Sequence, residues 1–167
     1  MLLRALPALA VIFGFFLGSE PTHAACTDAA VPGVDWRRCV LDNRDLQGIG
    51  ISGARLRDAS FVRADLSGSD LSGVDGFRAK FMSAKLANVR FDGARLSEAD
   101  LTKADLTGAS FKGADLRRAR LFRAILRGAD LTDARMKGAD LFEADLSGAI
   151  WIDGQKLCAE GSIGQCN

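Results

Sequence analysis

Large apolar residues recur at every fifth position from Trp36 to Trp151. The series runs Trp36, Leu41, Leu46, Ile51, Leu56, Phe61, Leu66, Leu71, breaks once at Gly76, and continues from Phe81 through Leu146 without losing step. Two residues before each member lies a second, smaller series in which 17 of 24 positions are Ala, the others being Val34, Cys39, Arg44, Ile49, Ser69, Val74 and Val89. An α-helix cannot use this spacing, because five residues advance about 500° and would scatter the large side chains round every side. A flat strand fails too, since an odd period sends alternate members to opposite faces. The pattern is met if each unit is a three-residue strand with its first and third residues inward, followed by two residues that turn a corner. The chain then winds round a closed core, and its units bury their apolar residues by stacking.

The triplets Ala64-Asp65-Leu66, Ala104-Asp105-Leu106, Ala139-Asp140-Leu141 and Ala144-Asp145-Leu146 resemble the motif of the pentapeptide-repeat family, and the resemblance covers residues 34–153. It implies an all-β fold, a right-handed quadrilateral parallel β-helix of about six 20-residue coils, roughly 29 Å long at a coil spacing of about 4.8 Å. Phe61/Phe81, Phe91/Phe111 and Phe122/Phe142 are each separated by one such coil and should stack. Val74, with Phe77, is expected to refill the place that Gly76 leaves empty.

The ends of such a rod need covers. Residues 1–25 read as a secretory signal peptide: Arg4 precedes an apolar run from Ala5 to Leu17 that is too short to span a bilayer, and small residues follow, with cleavage after Ala24 or Ala25. A lipoprotein with acylated Cys26 is the alternative, opposed by His23 where an aliphatic residue belongs and by the odd thiol it would leave. Residues 26–33 form an N-terminal cap and 154–167 a C-terminal one. The four cysteines lie in two terminal pairs, Cys26 with Cys39 and Cys158 with Cys166, and three connectivities exist on paper. The rigid rod between the pairs selects those two bonds over a four-thiolate zinc site. Trp36 and Trp151 would plug the end coils.

The whole sequence of 167 residues carries 22 Lys+Arg against 21 Asp+Glu, a net charge of +1, so no overall field draws it to nucleic acid or an anionic membrane. Eleven Asp residues precede a central residue and read as solvated outward groups, and no nucleophile with a base, metal cluster or phosphate loop emerges. No enzyme activity and no cofactor are expected. Two surface features follow from the coil. Asp35, Arg55, Asp75, Arg95, Asp115 and Arg135 should stack in alternating sign, a structural ladder in which Arg95 matters more than Arg90. The corner residues Val62, Met82, Phe122 and Phe142, with Thr102 among them, should form an apolar stripe suited to binding protein.

These features describe an exported, periplasmic or secreted, non-enzymatic solenoid whose partner is another protein or a second copy of itself, without nucleic acid and without stable membrane insertion after signal cleavage. A DNA-mimicking protector of a topoisomerase is the alternative implied by the family, and the balanced charge and signal peptide weigh against it. A hydrolase using paired Asp residues is a weaker third reading.

Overall fold

Parallel β-bridges join residues twenty apart along the chain, from Asp35 with Arg55 to Asp130 with Ile150. The computed structural model describes residues 26–167, so the signal peptide expected at 1–25 lies outside the described residues. The bridges sort into four walls, each a single outward residue wide. Wall 1 carries Asp35, Arg55, Asp75, Arg95, Asp115 and Arg135; wall 2 runs from Val40 to Asp140, wall 3 from Asp45 to Asp145, and wall 4 from Gly50 to Ile150.

One hydrogen-bond rule builds every wall. The central residue's N–H donates to the carbonyl nineteen residues ahead, as Trp36 to Arg55 at 2.9 Å, and Arg55 N–H returns to the carbonyl of Val34 at 2.9 Å. Between walls the chain makes type II turns: Ala54 N–H donates to Ile51 C=O at 3.0 Å across Gly53, whose φ is 68°. Thirteen non-glycine residues, among them Arg63 and Lys103, adopt the same left-handed corner conformation, so stacking outweighs a backbone preference of about 1 kcal/mol at each.

The outward Asp residues are more than solvated groups. Ten of the eleven accept a hydrogen bond from the backbone N–H two residues on, and so cap the next corner: Asp35, Asp45, Asp65, Asp70, Asp100, Asp105, Asp115, Asp130, Asp140 and Asp145. Asp75 is the exception, and its Oδ1 is buried without a partner among the described residues. Its corner begins with Gly76 and Phe77, the one place where the repeat lacks its large residue.

Central residues from Ile51 to Leu131 are buried, and the Ala series packs beside them. Phe61 stacks on Phe81 at 5.1 Å and Phe91 on Phe111 at 5.4 Å, while Phe81 meets Phe91 edge-on at 5.7 Å. The space at Gly76 is entered from the coil above, and Phe77 does not fold in to refill it as the sequence suggested. Leu96 in the next coil reaches into it, and Phe77 faces outward, half-buried, with Arg57 and Arg78 lying 5.1 and 5.7 Å from its ring centre.

Cys26 is bonded to Cys39, whose side chain is fully buried, and Trp36 closes the first coil at 3% exposure. At the other end residues 154–167 reverse direction and lie antiparallel on two walls only, bridging Ile150 with Leu157 on wall 4 and Asp145 with Ile163 on wall 3. Cys158 is bonded to Cys166. Because the cap stops there, Trp151 stays half-exposed and does not plug the end as Trp36 does.

Candidate interaction surfaces

Wall 1 places the expected charge column in line, but the contacts are discontinuous. Asp35–Arg55 and Asp75–Arg95 each close at 3.9 Å and Asp115–Arg135 at 4.0 Å, whereas Arg55–Asp75 and Arg95–Asp115 do not come within ion-pair distance. The shorter pairs lie within a coil: Arg37 to Asp35 at 2.6 Å and Arg117 to Asp115 at 2.7 Å. These guanidinium hydrogen bonds hold the Asp35 and Asp115 carboxyls below their ordinary value. On the adjoining corner Asp58, Arg78, Glu98 and Arg118 do form an unbroken run, at 3.9, 3.9 and 3.6 Å.

The contacts give Arg95 no advantage over Arg90. Arg90 reaches two carboxylates, Asp70 at 3.5 Å and Asp92 at 3.7 Å, against one for Arg95. Arg90 bridges coils as Arg95 does, on a wall where the sequence showed no alternation.

The neutral whole-chain charge conceals a division between walls. The five-residue units of wall 1 hold ten Lys and Arg against five Asp and Glu, while those of wall 4 hold two against five. Eight of the ten wall 1 cations lie within ion-pair distance of a carboxylate, and Arg38 and Lys137 have none in reach among the described residues. The corner after wall 1 holds a shallow groove of about 470 Å³, lined by Phe77, Glu98, Arg117, Arg118 and Lys137 among others.

The apolar stripe on wall 2 is interrupted in depth. Val62, Met82, Thr102 and Phe122 are half-buried, and in this stripe Phe142 alone is well exposed, at 64%. Phe122 and Phe142 stack at 6.0 Å, and Arg123 covers the Phe122 ring at 5.0 Å. Phe142 stands at the uncapped end of its wall, beside half-buried Leu141 and Ala139.

Among the described residues no cluster of His, Cys, Asp or Glu is arranged to hold a metal ion, and no helix is long and apolar enough to cross a membrane. Two side chains that sequence reasoning missed act between coils: Asp42 accepts from Ser60 Oγ at 2.5 Å and from Val62 N–H at 2.9 Å, and Asp92 accepts from Ser110 Oγ and Lys112 N–H. The signal was a carboxylate directly after a central residue, a place where Asp42 and Asp92 are the only acidic side chains among the repeats of residues 34–153.

The pentapeptide repeats family matches this chain in eight copies, over residues 45–75, 79–118 and 114–150. The chain belongs to that family. Pentapeptide repeat proteins fold as right-handed quadrilateral β-helices, the architecture that the four walls display. Among solved structures the chain is similar to HetL, a pentapeptide repeat protein involved in heterocyst differentiation regulation from the cyanobacterium Nostoc sp. strain PCC 7120. Identity is 33%, coverage 72% of this chain and 67% of HetL, and the TM-score 0.50. It is also similar to the pentapeptide repeat protein Rfr23 from the cyanobacterium Cyanothece 51142, at 23% identity, 71% and 90% coverage and a TM-score of 0.44. QnrB1, a plasmid-mediated fluoroquinolone resistance protein, matches at 23% identity, 69% and 71% coverage and a TM-score of 0.35. No curated protein matches the sequence.

Proposed function

We propose that this pentapeptide repeat protein is an exported, non-enzymatic rod that serves as a rigid protein-binding or scaffolding module in a bacterial periplasm or outside the cell. Pentapeptide repeat proteins are in general structural or binding modules. The supporting observation is how this chain uses its polar groups. Ten of eleven wall carboxylates cap corners, and eight of ten wall 1 cations are engaged in ion pairs. Among the groups left for recognition are exposed apolar side chains, Val40, Ile125 and Phe142, the last beside the apolar terminal edge.

The family suggests a second reading, protection of a topoisomerase by imitation of DNA. The acidic surplus this requires is confined to wall 4, with five acidic against two basic residues, and to a single charge on wall 3, while wall 1 has the opposite. A supercoiling assay with gyrase, inhibitor and added protein separates the two: relief of inhibition favours DNA mimicry.

Export is tested by fractionating cells and sequencing the N-terminus of the recovered protein, which should begin at Ala25 or Cys26. Binding is tested by capturing partners with the wild-type protein and with a Phe122→Ser/Phe142→Ser variant. A partner held by the first and lost by the second supports the surface named here. Equal capture by both removes that surface from the reading.

A further inference from the structure

The C-terminal cap covers half of the end on which it sits. Leu157 and Ile163 lie over walls 4 and 3, and among the described residues no bridge is made to the last strands of walls 1 and 2, although Gly164 of the cap comes close to Leu141 C=O and Glu143 N–H at the corner after wall 2. Their upward backbone groups are accordingly unpaired there: the N–H groups of Met136 and Leu141 and the carbonyls of Ala134 and Ala139 have no backbone partner among the described residues. Equivalent groups one coil below are all paired, as Leu116 N–H to Arg135 C=O and Arg135 N–H to Ala114 C=O, both at 2.9 Å. Met136, Ala139 and Leu141 are half-buried at this edge and Phe142 is exposed. An open strand edge with apolar neighbours is a template for another strand.

The cap carries the matching groups. Cys158 N–H donates to Ala149 C=O, Gly148 N–H to Cys158 C=O and Leu146 N–H to Ser162 C=O, so those residues face the rod. Leu157 and Ile163 alternate with them and turn their own N–H and C=O the other way, where no backbone partner is present among the described residues. Both side chains are exposed, at 65% and 51%. This end therefore has a raised half offering two donors and two acceptors, and a lowered half offering two donors and two acceptors in the matching places, with the corner N–H groups of Gly138 and Glu143 also unpaired among the described residues.

On the binding-module reading above, we propose that this end binds a second copy of the chain, end to end about a two-fold axis crossing the rod through the corners between walls 2 and 3 and between walls 4 and 1. That axis exchanges wall 1 with wall 4 and wall 2 with wall 3, so the cap of each copy drops into the other's lowered half. It also sets the cap strand parallel to the edge it meets, as the next coil would be. Met136 N–H then donates to the partner's Leu157 carbonyl, and the partner's Leu157 N–H donates to Ala134. Leu141 and Ala139 treat the partner's Ile163 in the same way. The opposite diagonal would bring cap against cap and leave the edges of walls 1 and 2 unpaired.

Charge agrees with the same axis. Glu160 sits on the corner after wall 3, held by Arg127 at 2.7 Å. The exchange carries it to the corner after wall 1, where Lys137 is a cation with no carboxylate in reach among the described residues and Arg118 stands one coil below.

Sedimentation equilibrium of the purified protein tests this, together with a Leu157→Pro/Ile163→Pro variant. Proline removes only the outward N–H groups and leaves the cap's own hydrogen bonds in place. The wild type should form a dimer that dissociates at about 10 µM, given its small contact area, and the variant should bind itself at least about 30-fold more weakly with unchanged circular dichroism. If the proline variant loses its fold, the pair Lys137→Glu and Glu160→Lys serves instead: each alone should weaken the dimer, and mixing the two single variants should restore it. A wild-type protein that stays monomeric well above that concentration overturns the proposal, as do growth into filaments and a dimer indifferent to these substitutions. Capture of a foreign partner through Phe122 and Phe142 by a monomeric protein would overturn the dimer while sustaining the binding-module reading.

Discussion

Leu96 occupies the space that Gly76 leaves in the coil below: a Cβ built on Gly76 would lie 2.9 Å from Cδ2 of Leu96. The repeat lapses at residue 76, and its neighbour twenty residues on compensates. Restoring the repeat with Gly76→Leu should therefore destabilise the protein, by about 1–3 kcal/mol, because two large side chains would claim one volume. Adding Leu96→Ala should recover part of that loss. Denaturant midpoints of the two variants and the wild type check both statements, and a stabilised Gly76→Leu would show the core to be loose there.

Phe91 and Phe142 separate core from surface. Phe91 is fully buried between Phe111 and Phe81, and Phe91→Ala should cost about 3–5 kcal/mol. Phe142→Ala should shift the thermal midpoint little, because its ring is 64% exposed and stacks on one neighbour only. Calorimetry on both variants gives the comparison directly.

How much of this was legible in the sequence depends on which direction an interaction runs. Contacts along the axis follow from the five-residue and twenty-residue spacings, so the buried Leu, Phe and Ala series and the Phe61/Phe81 and Phe91/Phe111 stacks could be read off the chain. Contacts across a corner could not. The Asp residues cap turns because their carboxyls sit two residues from an unpaired N–H in a left-handed corner, a geometry that exists only once the coil has closed. The stripe was drawn as if every corner side chain were open to solvent, whereas all but Phe142 are half-buried. The half-covered end depends on where residues 154–167 reverse, and the Gly-rich sequence there fixes no direction.

Acid should unfold the rod through its corner carboxylates. A guanidinium hydrogen bond from Arg37 lowers Asp35, and one from Arg117 lowers Asp115. A hydroxyl hydrogen bond from Ser67 lowers Asp65, and a hydrogen bond from Ser72 N–H lowers Asp70. A carboxyl that titrates lower in the folded state binds fewer protons there than in the unfolded chain. Its contribution is therefore present above the unfolded value of about 4 and disappears as the pH falls through the folded values. The thermal midpoint should be flat from neutral pH to about 5 and fall steeply below about 4. A flat profile down to pH 2 would mean that the caps add nothing.

Charge reversal at Arg90 should lower the thermal midpoint at least as much as reversal at Arg95, since Arg90 serves Asp70 and Asp92 while Arg95 serves Asp75 alone. Both effects are small, as these side chains are well exposed, and both should shrink in high salt. Melting curves of Arg90→Glu and Arg95→Glu at low and high ionic strength decide the order.

The alternation on wall 1 also restricts how this rod can change length. Excising one complete turn, residues 85–104, would keep every apolar residue in step yet set Asp75 directly beneath Asp115. Excising two, residues 65–104, would bring Arg55 beneath Asp115 and preserve the order of signs. A rod shortened by forty residues therefore keeps its order of signs on this wall, whereas one shortened by twenty places like charges one above the other.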